Sequence, residues 1–526
     1  MCPDSLDRPF GKPVVRAPTA GQASHFDQVS IDCSGVPEPA LMENAGRESA
    51  LIVEHLFPEG AVVALVGSGN NGGDALVCLR ALAAWGRRVT AVLVGERPRP
   101  DPVLHGWDVP TMNFDPEESG AAMELALVLA EASVVIDGLL GTGIRGAPRP
   151  KYAAAIEAAN QASGAVVALD TPSGVDGGSG LVPGAAVIAD LTVAFGWPKL
   201  GTLLYPGRER SGRIVAVEIG FPPGGKEEWA RLVTPGWASE VLPRRSAVTH
   251  KNAVGSLAIL AGSAMPGAAI LAARSAFRCG AGVVRVCASR CAREAVLEVP
   301  DAIFVDASDR GALCAAVEQS DALALGPGLG TGNEARRQLE AALDARGHRP
   351  AVADADALTL LAGGAGGGLE GRGGEGMVVT PHPGEMARLT ARSTVEVQND
   401  RVAIARDFAR SRGVLTLLKG TPSLVAEPDG GLLISTHEHP SELAVAGMGD
   451  VLAGAVASFL AQGVEPVAAS GLALHVTGTA ASHTGLGAAL MPSDVVDAIP
   501  AVLADVGAGA TALPFPFVTF DQRRPA

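Results

Sequence analysis

Two glycine-rich segments with acidic side chains are the most informative feature of the chain. Residues 67–74 read Gly-Ser-Gly-Asn-Asn-Gly-Gly-Asp, and residues 446–454 read Ala-Gly-Met-Gly-Asp-Val-Leu-Ala-Gly. Glycine lets a backbone approach a phosphate closely, and a helix N-terminus favours negative charge. Because the segments lie in different halves of the chain, they predict two active sites rather than one nucleotide loop.

Oxygen-bearing side chains follow further predicted strands of the first half. Asp137 precedes a second glycine loop, residues 138–146, and Asp170 precedes a turn that contains Ser173. Hard cations prefer oxygen ligands of this kind. Any one of these residues is more often a turn or helix cap. Three such loops on one rim of a sheet nevertheless indicate a ligand site.

In the second half, Asp450 lies among glycines at the start of an Ala-rich helical stretch. Backbone N–H groups there can stabilise a transferring phosphoryl group while the carboxylate accepts a hydroxyl proton. The motif alone is weak evidence in a chain with 66 glycines. Two companions support it: residues 419–423 offer an ammonium, hydroxyls and N–H groups to phosphate, and residues 326–330 form another close-approach loop.

His382 lies between two prolines, within Thr-Pro-His-Pro-Gly-Glu. The fixed backbone could aim the imidazole at a substrate, or it could form a rigid turn with a solvated histidine, and the residues do not favour either. Asp354 and Asp356 end a predicted strand, where they could orient a ligand or magnesium or cap a helix.

Short apolar runs followed by glycine or aspartate predict the strands of two parallel sheets. In the first half these runs are 61–66, 88–94, 134–137, 165–170 and 191–195, with helices at 38–57 and 74–85. In the second half they are 256–261, 283–286, 322–325, 351–354, 377–379 and 415–418. The alternation of strands and helices predicts an α/β fold with a doubly wound sheet, whose ligands bind beyond the strand ends.

The length of 526 residues predicts two domains. We expect a flexible extension at 1–20, a first domain at 21–240, a second at 243–512 and a tail at 513–526. Residues 363–376 are glycine-rich and predict a flexible surface insertion.

Composition excludes several classes of protein. The chain is 47% hydrophobic and 18% charged, with a net charge of −15, which argues against non-specific binding to nucleic acid or anionic membranes. Seven cysteines without a CxxC pair, and no apolar signal or membrane-spanning run, predict reduced thiols and a cytoplasmic location.

Four segments of the first half, residues 41–46, 69–74, 141–143 and 170–174, resemble the YjeF N-terminal family, the NAD(P)H-hydrate epimerases. The resemblance implies a Rossmann-like three-layer domain and a potassium ion (K+) bound by Asn71, Asp137 and Ser173. It implies substrate contacts at Asn70, Asn71, Gly72, Gly73, Asp74, Gly141, Thr142, Gly143, Ile144, Arg145, Gly146, Ala147 and Asp170. The segment departs from the family at Ala75, where glycine is usual and a methyl group is expected to crowd the loop. Because epimerisation moves a hydroxyl between ring faces, we expect Asp170 to supply acid/base catalysis.

Residues 250–255, 326–330, 354–356, 380–385, 419–420 and 449–450 resemble the ribokinase-like NAD(P)H-hydrate dehydratases. The resemblance implies substrate contacts at Ala253, Gly328, His382 and Asp450, and from the chemistry we expect Asp450 to be the base that takes the hydroxyl proton. It implies contacts with an AMP moiety at Lys419, Gly420, Thr421, Pro422, Ser423 and Gly449. Asn252 and Met448 depart from the usual pattern.

Together the resemblances imply a bifunctional repair enzyme. It would interconvert the R and S hydrates of NADH and NADPH (NADHX and NADPHX) and dehydrate the S form with ADP and Mg2+, releasing AMP. The alternative is a ribokinase-like small-molecule kinase whose first half is a ligand-binding scaffold. We expect small-molecule substrates, no nucleic acid or membrane partner, and a homo-oligomer, because symmetric oligomers are common.

Overall fold

The computed structural model describes residues 15–522 except 99–100, 224–227, 249, 252–253, 263–264, 365–367, 369–375, 436, 438–439 and 507–517, and only the backbone of 518–522. The chain divides into two compact units, one of residues 1–230 with 510–526 and one of residues 231–509. The predicted domain boundary, at residues 240–243, lies further along the chain than this division between residues 230 and 231. Ala253 and most of the glycine-rich insertion 363–376 lie outside the described residues.

The first unit alternates strands and helices. Its elements are β1 (Arg16–Ala17), α1 (Ala20–Asp32), α2 (Glu38–Leu56), β2 (Ala61–Val66), α3 (Asn70–Ala84), β3 (Val89–Leu93), β4 (Thr111–Asn113), α4 (Ala121–Ala130), β5 (Ala132–Gly138), α5 (Pro150–Asn160), β6 (Ala165–Leu169), β7 (Leu191–Phe195), α6 (Gly207–Arg210) and β8 (Arg213–Val217). A late strand, Val518–Gln522, completes the unit.

The first sheet has helices on both faces. From one edge, its order is Val518–Gln522, β8, β7, β6, β5, β2, β3, β4, and only the late strand is antiparallel to its neighbour. Alternate residues of β2 enter two hydrophobic cores, Val62 with α2 and α3, and Val63 with α4 and α5. This confirms the three-layer prediction. From β2 the chain adds strands toward one edge of the sheet, and from β5 it adds them toward the other edge. Sheets of this kind bind ligands at such a switch point, here between β2 and β5.

The second unit repeats the plan on a larger sheet. Its elements are β9 (Ala230–Val233), α7 (Pro235–Val241), β10 (Ser256–Leu260), α8 (Pro266–Arg278), β11 (Val283–Ala288), α9 (Arg293–Val296), β12 (Ile303–Asp306), α10 (Arg310–Glu318), β13 (Ala322–Leu325), α11 (Asn333–Arg346), β14 (Ala351–Ala353), α12 (Asp356–Ala362), β15 (Met377–Val379), α13 (Pro383–Thr390), α14 (Thr394–Asn399), α15 (Arg401–Arg412), β16 (Leu415–Leu418), β17 (Leu424–Ala426), β18 (Leu432–Ser435), α16 (Met448–Ala461), α17 (Pro466–Thr484) and α18 (Pro492–Ala504), and the late strand of the first unit is β19 (Val518–Gln522).

The second sheet runs in the order β9, β18, β17, β16, β15, β14, β13, β10, β11, β12. Only β17 is antiparallel to its neighbours in this series. The direction of chain progression changes between β10 and β13, so this unit also has a crevice at a topological switch point.

The predicted strands are confirmed in both units, and with them the α/β class. One helix begins earlier than predicted: α3 starts at Asn70 rather than Asp74, because the Asn-Asn-Gly-Gly segment winds into its first turn. The predicted tail also contains β19, a strand that the sequence analysis did not predict. None of the helices in the described part of the chain has both the length and the apolar character needed to cross a membrane.

Candidate active sites

Asp137, Ser173 and Asn71 lie together at the switch point of the first unit. Asp137 Oδ1 accepts a hydrogen bond from Ser173 Oγ at 2.6 Å, and its Oδ2 accepts one from Ser173 N at 2.8 Å. Asn71 Nδ2 donates to Leu140 O at 2.9 Å, and Leu140 N donates to Ser173 Oγ at 2.9 Å. The structure therefore assembles the three predicted cation ligands around one backbone segment.

The chemistry of this cluster fits a cation. Asn71 Oδ1 is buried and has no hydrogen-bond partner among the described residues, and leaving such an oxygen unpaired is costly. Burial raises the pKa of Asp137 to about 6, although its hydrogen bonds with Ser173 act in the opposite direction. A carboxylate, a hydroxyl and an unpaired amide oxygen form a donor set suited to a hard cation such as K+.

Close packing holds the loops of this site together. A Cβ atom on Gly67 would lie 1.8 Å from Leu139 O, so only glycine allows the loops after β2 and β5 to touch. Ala75 is buried, and its methyl group occupies the space that the missing side chain of Gly138 leaves, 2.5 Å from where that Cβ would lie. The methyl group therefore packs against the end of β5 rather than crowding the loop.

Asp170 follows β6 and has a positive φ of 62°, a strained backbone that is often found at functional sites. Its Oδ1 accepts hydrogen bonds from Phe195 N at 3.1 Å and from the ammonium of Lys199. Lys199 also donates to Phe195 O at 2.9 Å. In the described part of the chain, both of these hydrogen bonds go to Oδ1 and none goes to Asp170 Oδ2.

Two further carboxylates surround this pair. Burial first, then the charges of Asp170 and Asp27, raise the pKa of Asp74 well above its ordinary value. Burial and the charges of Asp170 and Glu38 raise the pKa of Asp27. A group of acids held against one lysine is suited to storing and moving a proton.

The other predicted substrate-contact residues of the first unit lie around these groups. Asn70 Nδ2 donates to Glu38 Oε1 at 2.7 Å, and the Thr142 hydroxyl lies 3.2 Å from that of Ser24 on α1. The exposed Arg145 is electrostatically linked to Asp176. Gly72 and Gly73 lie in the first turns of α3, and Gly141, Gly143, Ile144, Gly146 and Ala147 lie on the loop after β5.

A second lysine–aspartate pair lies in the second unit. Lys419 Nζ donates to Asp354 Oδ1 at 2.6 Å. A Cβ atom on Gly449 would lie 3.3 Å from Lys419 Nζ and from Asp354 Oδ2, which places the start of α16 directly against the pair. The structure thus brings together Lys419 and Gly449, two of the residues predicted to bind the AMP moiety.

Asp450 lies in the first turn of α16 beside this pair. Burial raises its pKa to about 6, the charges of Asp354 and Asp356 act in the same direction, and Lys419 lowers it. A carboxyl group with a pKa near neutrality is suited to general base catalysis at neutral pH.

The loop of residues 326–330 lies at the switch point of the second sheet. A Cβ atom on Gly262 would lie 1.6 Å from Gly328 O, so the loops after β10 and β13 touch through glycine. Gly330 N donates to Asp356 Oδ2 at 2.8 Å. Since Asp356 also acts on the pKa of Asp450, this loop lies beside the candidate base.

His382 is the N-cap of α13. Its Nδ1 accepts hydrogen bonds from Gly384 N at 3.0 Å and from Glu385 N at 3.4 Å, and Glu385 Oε2 accepts one from His382 N at 2.8 Å. The histidine therefore caps a helix, a role that the sequence analysis did not consider, while about half of its side chain stays exposed to a ligand.

Lys199 and Arg401 are site residues that sequence reasoning missed. Arg401, the first residue of α15, contacts the loop 419–423 that contains Gly420, Thr421, Pro422 and Ser423. Lys199 lies four residues beyond a predicted strand, and the chain contains only six lysines. Because lysines are so scarce in this chain, Lys199 could have been singled out as a candidate site residue from the sequence. No local pattern marks Arg401.

Two family descriptions match the chain. Residues 38–201 match the YjeF-related protein N-terminus, and residues 257–500 match NAD(P)H-hydrate dehydratase. The family matches therefore cover most of both units and include every candidate site residue except Ala253 of the second unit.

Curated relatives match nearly end to end. A bifunctional NAD(P)H-hydrate repair enzyme from Moorella thermoacetica is 34% identical, over 92% of this chain and 96% of its own length. One from Escherichia coli K12 is 31% identical, over 85% of this chain and 86% of its own length. A solved ADP/ATP-dependent NAD(P)H-hydrate dehydratase from Bacillus subtilis, co-crystallised with ATP and Mg2+, is 28% identical with a TM-score of 0.45, over 52% of this chain and 98% of that one.

Proposed function

The chain belongs to the family of bifunctional NAD(P)H-hydrate repair enzymes, and from this premise we propose how its two sites divide the work. The first unit epimerises the R and S hydrates, and the second dehydrates the S hydrate with ADP. The observation that carries the proposal is that each unit holds a lysine–aspartate ion pair beyond the carboxyl ends of its parallel strands, Lys199 with Asp170 and Lys419 with Asp354.

In the first unit, Asp170 is the acid/base group of epimerisation. Its Oδ2 exchanges a proton with the substrate as the C6 hydroxyl moves between the two faces of the ring. Lys199 holds the carboxylate through Oδ1 and keeps its orientation constant. Asp74, with its raised pKa, is a neighbouring proton store.

The Asn71, Asp137 and Ser173 cluster would hold K+ in this unit. Burial leaves Asn71 Oδ1 without a hydrogen-bond partner among the described residues and disfavours the charged form of Asp137. A bound cation would offset both costs. A bound cation would supply a fixed positive charge beside the loops that bind the substrate.

In the second unit, Asp450 removes the proton from the C6 hydroxyl of the S hydrate. The hydroxyl oxygen then bonds to the β-phosphorus of ADP, and the bond to AMP breaks. The ring nitrogen lone pair next expels phosphate from C6, and loss of a C5 proton restores the dihydropyridine. Phosphorylation is useful because hydroxide is a poor leaving group.

Lys419 and the N–H groups of the loop 419–423 and of Gly449 bind the phosphates of ADP. We infer that Mg2+ enters with the nucleotide, because Mg2+ is commonly held by substrate phosphates and one or two carboxylates.

The test is recovery of the NADH absorbance band from a mixture of R and S hydrates with ADP, Mg2+ and K+. Full recovery is expected. Recovery that stops at the S fraction would refute the epimerase assignment alone. Failure with both ADP and ATP would favour the kinase alternative, which turnover of a vitamin alcohol would then support.

A further inference from the structure

A buried arginine contacts the loop of residues 419–423, in the unit that we propose binds ADP. Arg401 Nη2 donates hydrogen bonds to carbonyl oxygens at both ends of the loop. The acceptors are Leu418 O at 3.3 Å, Lys419 O at 3.1 Å and Pro422 O at 3.0 Å. One side chain therefore fixes the backbone where the loop leaves β16 and where it approaches β17.

The position of Arg401 is not explained by the helix that it begins. A cation in the first turn of a helix opposes the helix dipole, and burial of a guanidinium adds a desolvation cost. In the described part of the chain its only side-chain partner is the neutral Gln398, at 2.7 Å, and no carboxylate pairs with it. The hydrogen bonds to the loop carbonyls are therefore the main offset to the desolvation cost of the guanidinium. No carboxylate among the described residues neutralises its positive charge.

Gly420 makes the approach of the guanidinium possible. This residue has a φ of 138°, and a Cβ atom there would lie 2.7 Å from both terminal nitrogens of Arg401. Any side chain at this position would displace the arginine. Glycine is therefore needed at position 420 to leave space for Arg401, which lies outside the loop.

The contacts of Arg401 determine which face of the loop presents N–H groups. In a planar trans peptide the C=O and N–H bonds point in opposite directions. Because Lys419 O and Pro422 O point toward Arg401, the N–H groups of Gly420 and Ser423 point away from it. Two of the loop's carbonyl oxygens, which would repel a phosphate, are thereby turned toward the arginine, and within the loop Gly420 N donates to Ser423 Oγ at 3.3 Å.

We propose that Arg401 is a positioning residue for nucleotide binding. It holds the carbonyl oxygens of Lys419 and Pro422 on its own side of the loop. N–H groups and the Lys419 ammonium are thereby left to face the phosphates of ADP. This inference rests on the proposed ADP-dependent activity of the same site. Arg401 does not touch the reacting atoms, so its effect is expected on the binding of ADP rather than on the binding of the hydrate.

The kinetic test uses the full chain with Arg401→Met, Arg401→Lys and the control Arg406→Met. Arg406 lies on the same helix and is also partly buried. In Arg401→Met we expect the KM for ADP to rise about 30-fold, the effect of losing a few charge-assisted hydrogen bonds. Arg401→Lys should restore part of the loss. The KM for the hydrate, the epimerase rate and all parameters of Arg406→Met should stay within about twofold of the wild type.

Hydrogen exchange of the unliganded protein provides a readout that does not depend on activity. Amides of the loop 419–423 should exchange faster in Arg401→Met, and in Gly420→Ala, but not in Arg406→Met. An unchanged KM for ADP, or equal rises in both KM values, would overturn the inference, as would unchanged loop exchange. A wild-type enzyme without ADP turnover would refute the proposed function instead, and loop exchange would still test Arg401. If Arg401→Met does not fold, Arg401→Lys and Gly420→Ala decide by the same readouts.

Discussion

The two units contain the same kind of ion pair with opposite exposure. In the first, the Lys199 side chain is 4% exposed and that of Asp170 is 13% exposed. In the second, Lys419 is 19% exposed and Asp354 is 3% exposed. The carboxylate is therefore the more exposed member of the pair in the first unit, whereas the cation is the more exposed member in the second.

The difference corresponds to the chemistry proposed for each unit. Moving a hydroxyl between ring faces needs a group that exchanges protons, and an accessible carboxylate can do so. Binding a nucleotide needs positive charge near phosphate, which an accessible lysine supplies. Under the proposed function, one kind of ion pair on one kind of sheet would serve two reactions, according to which member of the pair is the more exposed.

The largest effect is expected from Asp450→Asn. Without a general base, dehydratase kcat should fall about 10³-fold, while the epimerase rate of the same protein stays unchanged. Both rates are measured with the purified R and S hydrates. Near-normal dehydratase turnover would remove Asp450 from the mechanism.

Asp170→Asn should lower the epimerase rate about 10²-fold and leave the dehydratase rate unchanged. The amide retains an oxygen for Lys199 but cannot act as the base. Epimerisation is followed by chromatography of the two hydrates in the absence of ADP. Full epimerase turnover in this variant would show that the accessible carboxylate is not the catalytic group.

The exposure of the two lysines predicts unequal losses of stability. Asp170→Asn leaves the buried Lys199 without its counter-ion and should lower the free energy of unfolding by about 3 kcal/mol. Asp354→Asn leaves the more exposed Lys419, which water can solvate, and should cost about 1 kcal/mol. Denaturant unfolding of both full-length variants measures the difference. Equal losses would contradict the contrast between the two pairs.

The raised pKa of Asp137 predicts a pH-dependent effect of K+. The folded-state pKa of about 6 lies above the ordinary value of 3.8, so ionisation of Asp137 makes folding less favourable as pH rises through this window. Above pH 6 a bound cation offsets that cost. The Tm in KCl should then exceed that in tetramethylammonium chloride by about 3 °C, and the difference should vanish below about pH 5. Ser173→Ala is the control, since it should weaken the effect of K+ throughout the range above about pH 5 in which the wild type shows it.

The smallest effect is expected from Ala75→Gly. The substitution should lower the free energy of unfolding by about 1 kcal/mol, because a glycine enters α3 and the contact with Gly138 is lost. Both activities should remain within about twofold of the wild type, because the methyl group packs against Gly138 at the end of β5. A marked gain in epimerase rate would mean that Ala75 does crowd the site.

Much of each site could be predicted because its signals are local. Apolar runs that end in Asp137 and Asp170, and the glycines around them, identify strand ends in the sequence itself. Parallel strands bring these ends to one rim, so Asn71, Asp137 and Ser173 could be grouped before their contacts were known. The start of α3 was predicted too late, because glycines usually indicate a loop and here form a helical turn.

The α/β class, the presence of two units and the carboxylates at the strand ends could all be predicted from the sequence, because chain periodicity and glycine spacing express local backbone preferences. The folded chain was needed to show that Lys199 pairs with Asp170, that Arg401 contacts the loop 419–423, and which member of each ion pair is the more exposed. Pairing and burial depend on residues distant in the chain, and on the solvent that packing excludes, so no local pattern records them.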